Sequence, residues 1–348
     1  MKPHSLTAEI SQIHEFSDII DVRSPSEFAA DHIPGAKNFP VLNDEERAHV
    51  GTLHKNTPFE ARKLGAALIS ANMAQFLQTV FSSHDKSWRP LIYCWRGGMR
   101  SGAATIILSQ IGWKAYQLQG GYKAYRRQVI SDLDTLAKSL RFIVVCGPTG
   151  SGKSRFLKAL ARQGMQVLDL EALAIHRGSI LGLLPGDTQP SQRYFETKLW
   201  AALRKLDPSK PVFVEAESRR IGSVSLPASL YEQMHVGKCI QLDVPLHERV
   251  RFLCEDYHFY LENPDLLKIR LSGLSHLRSR QEIEYWFSLI ETGDFHTLVH
   301  ELLGTHYDPL YWRSMKNHYP QLDETLKLNI LCLDEAGLDQ AALQLMAS

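Results

Sequence analysis

This chain of 348 residues has few cysteines, no long hydrophobic run and almost no net charge. Its five cysteines are odd in number and widely spread, so they form neither a disulfide framework nor a zinc motif. No stretch approaches the roughly 20 consecutive apolar residues that a membrane helix needs. The N-terminal segment MKPHSLTAEISQIHEF lacks the apolar core of a signal peptide. We therefore expect a cytoplasmic protein with no membrane partner.

The composition is that of a folded protein, with 44% hydrophobic and 22% charged residues. The length allows two domains, each with its own core. A net charge of +1 does not by itself indicate a nucleic-acid partner. Residues 281–348 carry 3 basic and 11 acidic side chains, whereas the rest of the chain is mildly basic. This basic part could be ordinary solvated surface or a face that binds a polyanion, and the composition does not distinguish them.

The pattern of apolar runs predicts two α/β domains, 1–138 and 139–348. A long polar helical stretch ends near residue 138 and is followed at once by a strongly apolar strand. Before this boundary, strands alternate with helical spacing in FSDIIDVRS, LIYCWRGG and KAYQLQGGY. After it, the predicted strands are FIVVCG, MQVLDL, KPVFVEA, KCIQLDV and LNILCL, and the acidic C-terminal region is predicted to be helical. Such alternation favours parallel sheets, and the second domain should be doubly wound, with its ligand beyond the carboxyl ends of the strands.

A phosphate-binding loop is the clearest motif of the second domain. The segment matches G-x-x-x-x-G-K-[ST] at every fixed position and consists of Gly147, Pro148, Thr149, Gly150, Ser151, Gly152, Lys153 and Ser154. An apolar strand precedes it and a helix follows, as the motif requires. Backbone N–H groups of such a loop surround a phosphate, which the helix N-terminus also attracts. Lys153 would reach a terminal phosphate, and Ser154 could bind Mg²⁺, although the sequence predicts no firm metal ligand.

An acidic partner for this loop is expected at the end of a neighbouring strand. Glu215 ends the strand PVFVE and is the first candidate. Glu217, Asp169 and Glu171 are alternatives, and any of these acids could instead cap a loop or pair with an arginine. Arg249 and Arg251 could reach a phosphate or could lie on an exposed helix face.

A cysteine in a glycine- and arginine-rich loop is the main motif of the first domain. Cys94 ends the strand LIYC and is followed by Trp95, Arg96, Gly97, Gly98, Met99 and Arg100, and then by a predicted helix. N–H donors at a helix start and two nearby guanidinium groups would favour the thiolate and bind an anion. We therefore expect Cys94 to be reactive, and such a loop can also hold a thiol that already carries sulfur, selenium or phosphate.

Residues 5–130 resemble the rhodanese family of sulfurtransferases. The resemblance lies in DVRSPSEFAADHIPGAKNFP, the loop from Cys94 to Arg100, and LQGGYKAY. Asp21, Arg23, His32, Pro34 and Gly35 match the structural signature of that family, so we interpret them as scaffold. Arg100 stands six residues after Cys94, one more than in most single-domain rhodaneses. The larger loop is similar to that of related phosphatases and argues against simple persulfide transfer from thiosulfate.

Nearly the whole chain resembles the tRNA 2-selenouridine synthase family, in which a rhodanese-like domain precedes a P-loop domain. The matching segments, in order, include PVLNDEERAHVGTLHK, CWRGGMRSG, GPTGSGKS, LDLEALAIHRGSILG, QPSQRYFE and VEAESRRIG. The resemblance implies replacement of sulfur by selenium in the wobble 2-thiouridine of the tRNAs for Lys, Glu and Gln. It also implies two co-substrates, selenophosphate and geranyl diphosphate, with S-geranyl-2-thiouridine as the intermediate.

The same resemblance implies roles for the two loops. Cys94 would take or guide selenium, and Gly97, Gly98 and Arg100 would bind selenophosphate. The loop from Gly147 to Ser154 would hold a diphosphate, that of geranyl diphosphate in preference to ATP, with Mg²⁺ as an optional partner. Three basic stretches are candidates for tRNA contact or for ordinary helix faces, and they are YKAYRRQ, HLRSRQEIEYWF and the arginine pair at 219–220.

Two other interpretations of the sequence stay open. One is a P-loop small-molecule kinase fused to a rhodanese-like phosphatase or persulfide carrier, which would turn over ATP without tRNA. The other is a non-catalytic regulator that binds a nucleotide and senses redox state through Cys94. The absence of an obvious resolving cysteine argues against the sensor.

Overall fold

The computed structural model describes residues 6–179, 181–183, 186–319 and 325–347, and they form two compact units. The first unit runs to Asp132 and also includes Pro190–Ala201. The second comprises Leu133–Gln189 and the chain from Ala202 onward. The division thus falls six residues before the boundary predicted near residue 138, and a short later segment joins the first unit.

The first unit contains a parallel five-stranded sheet in its described residues, with the order β1-β5-β4-β2-β3. The strands are β1 Leu6–Ala8, β2 Asp18–Asp21, β3 Lys37–Asn38, β4 Pro90–Tyr93 and β5 Tyr116–Leu118. The three strands predicted from the sequence correspond to β2, β4 and β5. The strands β1 and β3, with the sequences LTA and KN, were not predicted because neither lies in an apolar run. All four residues of the central β4 are buried, as expected for a strand covered on both faces.

Helices cover this sheet. They are α1 Pro25–Ala30, α2 Asp44–Asn56, α3 Pro58–Gln78, α4 Met99–Ile111 and α5 Gly121–Ser139, with 3₁₀ turns at Ile10–Glu15 and Phe81–Ser83. Asn43 begins α2 with a capping box, in which its side chain accepts from the Glu46 N–H and the Glu46 carboxylate accepts in return. The division between the two units falls inside α5, so the polarity of this long helix could not mark it.

The segment Pro190–Ala201 packs into the first unit through aromatic and polar contacts. The Trp200 ring meets the Tyr125 ring edge to face, with centroids 5.7 Å apart. Its indole Nε1 donates to Asp132 Oδ2 at 2.9 Å. Arg126 forms an ion pair with Glu196. These contacts join residues about 70 positions apart, which local sequence patterns cannot reveal.

The second unit contains a parallel sheet with all five predicted strands, in the order β12-β11-β6-β8-β7 within the described residues. The strands are β6 Arg141–Cys146, β7 Gln166–Leu168, β8 Pro211–Glu215, β11 Lys238–Asp243 and β12 Leu326–Asn329, and a separate antiparallel pair is β9 Arg220–Ile221 with β10 Val224–Ser225. The chain turns from one side of β6 to the other between β8 and β11. The carboxyl end of β6 is therefore the switch point at which a doubly wound sheet binds its ligand.

Helices surround this second sheet and form most of the C-terminal region. They are α6 Lys153–Arg162, α7 Leu170–Ala174, α9 Ala228–Val236, α10 Leu246–Asp256, α11 His258–Leu261, α12 Pro264–Ser272, α13 Arg280–Thr292, α14 Phe295–Glu301, α15 Asp308–His318 and α16 Glu335–Ala347. The remaining helix, α8 Gln192–Leu203, lies almost entirely in the segment Pro190–Ala201 of the first unit. A π-helical turn, Leu302–Tyr307, joins α14 directly to α15. No helix in the described part of the chain is both long and apolar enough to cross a bilayer.

Candidate functional site

The phosphate-binding loop lies where the motif predicts, between β6 and α6. Gly150 and Gly152 have φ values of +82° and +74°, which other residues rarely adopt. A Cβ at Gly150 would also lie 2.8 Å from a methyl carbon of Leu253. Lys153 Nζ donates to the Gly147 carbonyl at 2.8 Å, and the Gly147 N–H donates to the Tyr311 hydroxyl at 2.6 Å. The lysine is thus held within the loop that it serves.

Two carboxylates lie within hydrogen-bond distance of the hydroxyl of Ser154, the last residue of this loop. Ser154 Oγ donates to Glu171 Oε2 at 2.5 Å and lies 3.2 Å from Glu215 Oε2. The other Glu215 oxygen accepts from the Glu171 N–H at 2.8 Å. Burial raises the pKa of Glu215 well above its usual value, and the neighbouring carboxylates add to this effect. The structure therefore places the predicted Glu215 beside the loop, with the alternative Glu171 closer still, while Asp169 caps α7 through the Ala172 N–H.

A third carboxyl group, that of Glu217, lines the same site. A Cβ at Gly178 would lie 3.0 Å from both Glu217 oxygens, so a glycine is needed where this loop passes. Removal from water and the charge of Glu171 raise the pKa of Glu217 to about 8. Near neutral pH this carboxyl group is therefore mostly protonated, with a minor ionised fraction that can accept a proton.

A cavity of about 540 Å³ opens over the loop and is rich in aromatic side chains. The phosphate loop contributes Thr149, Gly150, Gly152, Lys153 and Ser154 to one side. The aromatic lining residues are Tyr231, His235, Phe252, Tyr257, Tyr307, Tyr311, His318 and Tyr319. A phosphate-binding end and an aromatic wall thus belong to one cavity.

Two arginines bring further positive charge to this cavity. Arg177 and Arg155 both pair with Asp256, and the Arg155 contact measures 3.2 Å. The Arg155 guanidinium lies over the Phe252 ring, 4.4 Å from its centroid. These two arginines were not among the predicted site residues, because nothing in the local sequence pattern links residue 177 to residue 256.

The arginines that were candidates for phosphate contact have other partners. Arg249 is buried, pairs with Asp308 at 2.7 Å and donates to the Thr149 carbonyl at 3.0 Å. It thus supports the phosphate loop from behind. Arg251 pairs with Glu248 and Glu255 and does not line the cavity, so the structure favours the helix-face interpretation for this residue.

The cysteine loop of the first unit runs from the end of β4 to the start of α4. Cys94 is 3% exposed, and Ser101 Oγ donates to its Sγ at 3.1 Å. Gln117 Nε2 donates to the Gly97 carbonyl at 2.7 Å and to Ser101 Oγ at 2.9 Å. Gly97 has φ +64°, and a Cβ there would meet the Leu118 carbonyl oxygen at 2.7 Å. The loop is therefore a fixed turn around the thiol.

Arg100 does not stand free beside this turn. Its guanidinium contacts both oxygens of Glu27, at 2.6 Å and 3.3 Å. Burial alone would raise the pKa of Glu27, but the hydrogen bond and charge of Arg100 lower it overall. Within the loop, Arg96, Gly98 and Met99 are exposed, while the Trp95 ring lies 5.2 Å from that of Tyr122.

The residues interpreted as scaffold occupy structural positions. Asp21 and Arg23 form a fully buried ion pair at 2.6 Å, and Arg23 Nη2 also donates to the Asp31 carbonyl. The His32 ring nitrogen Nδ1 lies 3.0 Å from the Phe28 carbonyl oxygen. Gly35 has φ +81°, as a glycine in a tight turn allows.

Comparison with known proteins agrees with this two-unit architecture. A family model described as "Rhodanese-like domain" matches residues 4–128, and one described as "tRNA 2-selenouridine synthase AAA domain" matches residues 140–265. A protein of Alcanivorax borkumensis named tRNA 2-selenouridine synthase is 33% identical over 326 residues, which are 84% of this chain and 88% of that protein.

Two further relatives carry the same name. That of Nitrosomonas europaea is 42% identical over 244 residues, or 69% of this chain and 63% of the relative. That of Bdellovibrio bacteriovorus is 40% identical over 246 residues, or 69% and 64%. The chain thus spans less than two thirds of the length of these two proteins.

Proposed function

The chain belongs to the tRNA 2-selenouridine synthase family, and on that premise we propose that it replaces sulfur by selenium in the wobble 2-thiouridine of tRNAs for Lys, Glu and Gln. Geranyl diphosphate and selenophosphate are the co-substrates, and S-geranyl-2-thiouridine is the intermediate. The observation that best supports this proposal is that one chain carries two loops of different kinds. One surrounds a thiol, and the other opens on an aromatic cavity.

The first reaction is S-alkylation at the phosphate loop. The 2-thiouridine sulfur attacks C1 of geranyl diphosphate, the C1–O bond breaks, and diphosphate leaves with the electron pair. The proton on N3 of the base passes to a carboxylate, for which the ionised form of Glu217 in the cavity wall is our candidate. Lys153, Arg155 and Arg177 supply the positive charge that a departing diphosphate requires.

The aromatic side chains that line the phosphate-loop cavity favour an isoprenoid diphosphate as its ligand in preference to a nucleotide. Positive charge develops on the allylic carbons as diphosphate leaves, and aromatic faces attract a cation. The cavity offers many such faces beside the phosphate loop. An apolar chain also loses no hydrogen bonds when it leaves water, whereas a base and ribose would need polar partners.

Magnesium is compatible with this site. The Ser154 hydroxyl and the Glu171 and Glu215 carboxylates are the oxygen donors that Mg²⁺ prefers. The described residues include no cluster of three or more His, Cys, Asp or Glu side chains that could hold a metal ion. Mg²⁺ usually keeps several waters and binds through one or two carboxylates together with substrate phosphates, so no such cluster is needed. When bound, it would help to neutralise the diphosphate.

The second reaction is displacement of the geranylated sulfur at the cysteine loop. The selenium of selenophosphate attacks C2 of S-geranyl-2-thiouridine, the C2–S bond breaks, and geranylthiolate leaves. Water then cleaves the P–Se bond, which yields 2-selenouridine and phosphate without any change of redox state. Cys94, held by Ser101, guides the selenium, and the loop N–H groups bind the phosphate part.

Nucleoside mass spectrometry of a 2-thiouridine tRNA tests this function. The protein receives geranyl diphosphate alone, selenophosphate alone, or both, and Cys94→Ala is compared with a matched variant, Cys254→Ala, outside the loop. We expect 2-selenouridine only with both donors, its loss in Cys94→Ala, and its retention in Cys254→Ala. Unchanged 2-thiouridine in every reaction would contradict the proposal. ATP turnover stimulated by a small molecule would then favour the kinase alternative.

A further inference from the structure

A second, smaller cavity of about 60 Å³ adjoins the phosphate-loop cavity. The two share lining residues, among them Thr149 of the phosphate loop and the rings of Tyr257 and Tyr307. The rest of its wall is aliphatic and comprises Leu181, Val299, Leu302 and Leu303. We call this space the side chamber. It continues from the phosphate-binding end of the main cavity into an apolar recess.

The chamber is shaped by the π-helical turn Leu302–Tyr307. Leu302 and Leu303 are 4% and 1% exposed, and both face the recess from the first positions of this turn. π-Helical turns are rare and are frequently found at functional sites. Here the turn brings Leu302, Leu303 and Tyr307 to the chamber from one short segment. The π-helical turn therefore forms part of the wall of the side chamber.

The chemistry of the wall limits what can enter. Polar groups of a ribose or base would lose their hydrogen bonds to water there and find aliphatic side chains instead. A hydrocarbon chain would gain from leaving water. The phosphate loop next to the chamber requires an anionic group at the other end of the same molecule. An occupant that satisfies both conditions is an amphiphile with a diphosphate head and an apolar tail.

We propose that the side chamber receives the distal isoprene unit of the allylic diphosphate, and that Val299 and Leu302 set the longest chain that the enzyme accepts. This inference rests on the proposed function, since it assumes that the phosphate loop binds an isoprenoid diphosphate. Val299 lies on α14, one turn before Leu302, and is only partly buried, so its side chain can be changed in size with little effect on the core.

Ligand-dependent thermal stabilisation tests the chamber without any need for turnover. The full chain is heated with inorganic diphosphate, or with dimethylallyl, geranyl or farnesyl diphosphate, and Tm is compared. We expect geranyl diphosphate to raise Tm more than inorganic diphosphate does. Val299→Trp should abolish this difference and leave the shift from inorganic diphosphate unchanged. The control is Val236→Trp, the same change at a 79% exposed valine outside both cavities.

Chain-length preference provides the second measurement. Mass spectrometry of S-prenylated 2-thiouridine tRNA gives kcat/KM for the three prenyl diphosphates. A single methylene in an apolar pocket changes kcat/KM by about 10-fold or more. Val299→Trp should therefore lower the geranyl-to-dimethylallyl ratio by at least about 10-fold, and Val299→Ala should raise the farnesyl-to-geranyl ratio. Retained activity with dimethylallyl diphosphate shows that the Trp variant is folded.

The possible outcomes distinguish a failure of the side-chamber proposal from a failure of the proposed function. Equal stabilisation by geranyl and inorganic diphosphate, or unchanged ratios in both Val299 variants, would overturn the chamber proposal even if geranylation occurs. If geranyl diphosphate stabilises the protein through Val299 but no tRNA product forms, the chamber is supported and the proposed reaction fails.

Discussion

Glu27 binds the guanidinium of Arg100 with both carboxylate oxygens, and both side chains are largely buried. Arg100 is the residue that the C-x₅-R spacing assigns to the anion of the cysteine loop. Its charge is therefore largely balanced before any anion arrives. Glu27 lies in α1, 73 positions earlier in the chain, and controls how much of the Arg100 charge reaches the loop.

Glu27→Gln should strengthen binding of selenophosphate. Removing one negative charge next to Arg100 leaves the guanidinium uncompensated, which favours an anion in the loop. We expect KM for selenophosphate to fall about threefold or more, with S-geranylation unchanged. The rate of selenation of S-geranyl-2-thiouridine tRNA at varied selenophosphate checks this. Glu60→Gln, a change of an exposed acid on α3, should leave KM as it is, and a higher KM in Glu27→Gln would refute the electrostatic argument.

Lys153→Met should nearly abolish S-geranylation. The ammonium group is held within the phosphate loop by the Gly147 carbonyl. In the proposed reaction it would supply positive charge to the leaving diphosphate. Loss of such a group typically costs about 100-fold or more in kcat. Lys210→Met changes an exposed lysine just before β8, at the amino ends of the strands and outside the cavity lining, so it should cost less than about threefold. Production of S-geranyl tRNA with time measures both, and equal losses would show that only general positive charge matters.

Stability should fall as the pH rises from 5 to 8, partly because of Glu217. Its folded pKa of about 8 lies above the unfolded value of about 4.5, so between these values the folded state holds the extra proton. In that window stability decreases with increasing pH. Glu217→Gln removes this contribution and should flatten the decrease, by about 2 °C or more in Tm. Calorimetry at pH 5, 6.5 and 8 tests this, and parallel curves for the two proteins would exclude a raised pKa.

Arg23→Met should strongly destabilise the first unit. It leaves the Asp21 carboxylate buried without its ion-pair partner, which costs about 3–5 kcal/mol. The matched control is Arg162→Met. Arg162 also lies 2.6 Å from an aspartate, Asp339, but this pair is partly exposed and contributes about 0–1 kcal/mol. Denaturant unfolding measures both, and similar free-energy losses would mean that burial does not determine the strength of the pair.

The sequence predicted those parts of the fold that are formed by one short run of consecutive residues. Four of the five strands of the second sheet lie in the apolar runs that predicted them, whereas β12, Leu326–Asn329, begins two residues before the predicted run LNILCL and shares only Leu328 and Asn329 with it. The phosphate loop has fixed spacing and therefore a fixed backbone. In the first unit, β1 and β3 were missed because LTA and KN lie in no apolar run, whereas the equally short β5 and β7 lie in the longer segments KAYQLQGGY and MQVLDL.

The parts that could not be predicted depend on residues far apart in the chain. Glu171 lies nearer to Ser154 than Glu215 does, but both acids follow a strand and look alike in sequence. The pairing of Arg177 with Asp256 joins positions 79 apart, as the pairing of Arg100 with Glu27 joins positions 73 apart. The aromatic cavity gathers residues from 149 to 319. Only the completed topology brings such residues together.

The assignment of Pro190–Ala201 to the first unit has a consequence for synthesis on the ribosome. The chain has completed the first sheet by residue 118, but Trp200, which packs on Tyr125 and donates to Asp132, emerges only some 80 residues later. The first unit therefore cannot finish folding when its strands are made. For the same reason, a fragment cut at residue 138 would leave the Tyr125 ring without its cover, so expressing the rhodanese-like part alone requires residues 190–201 to be supplied as well.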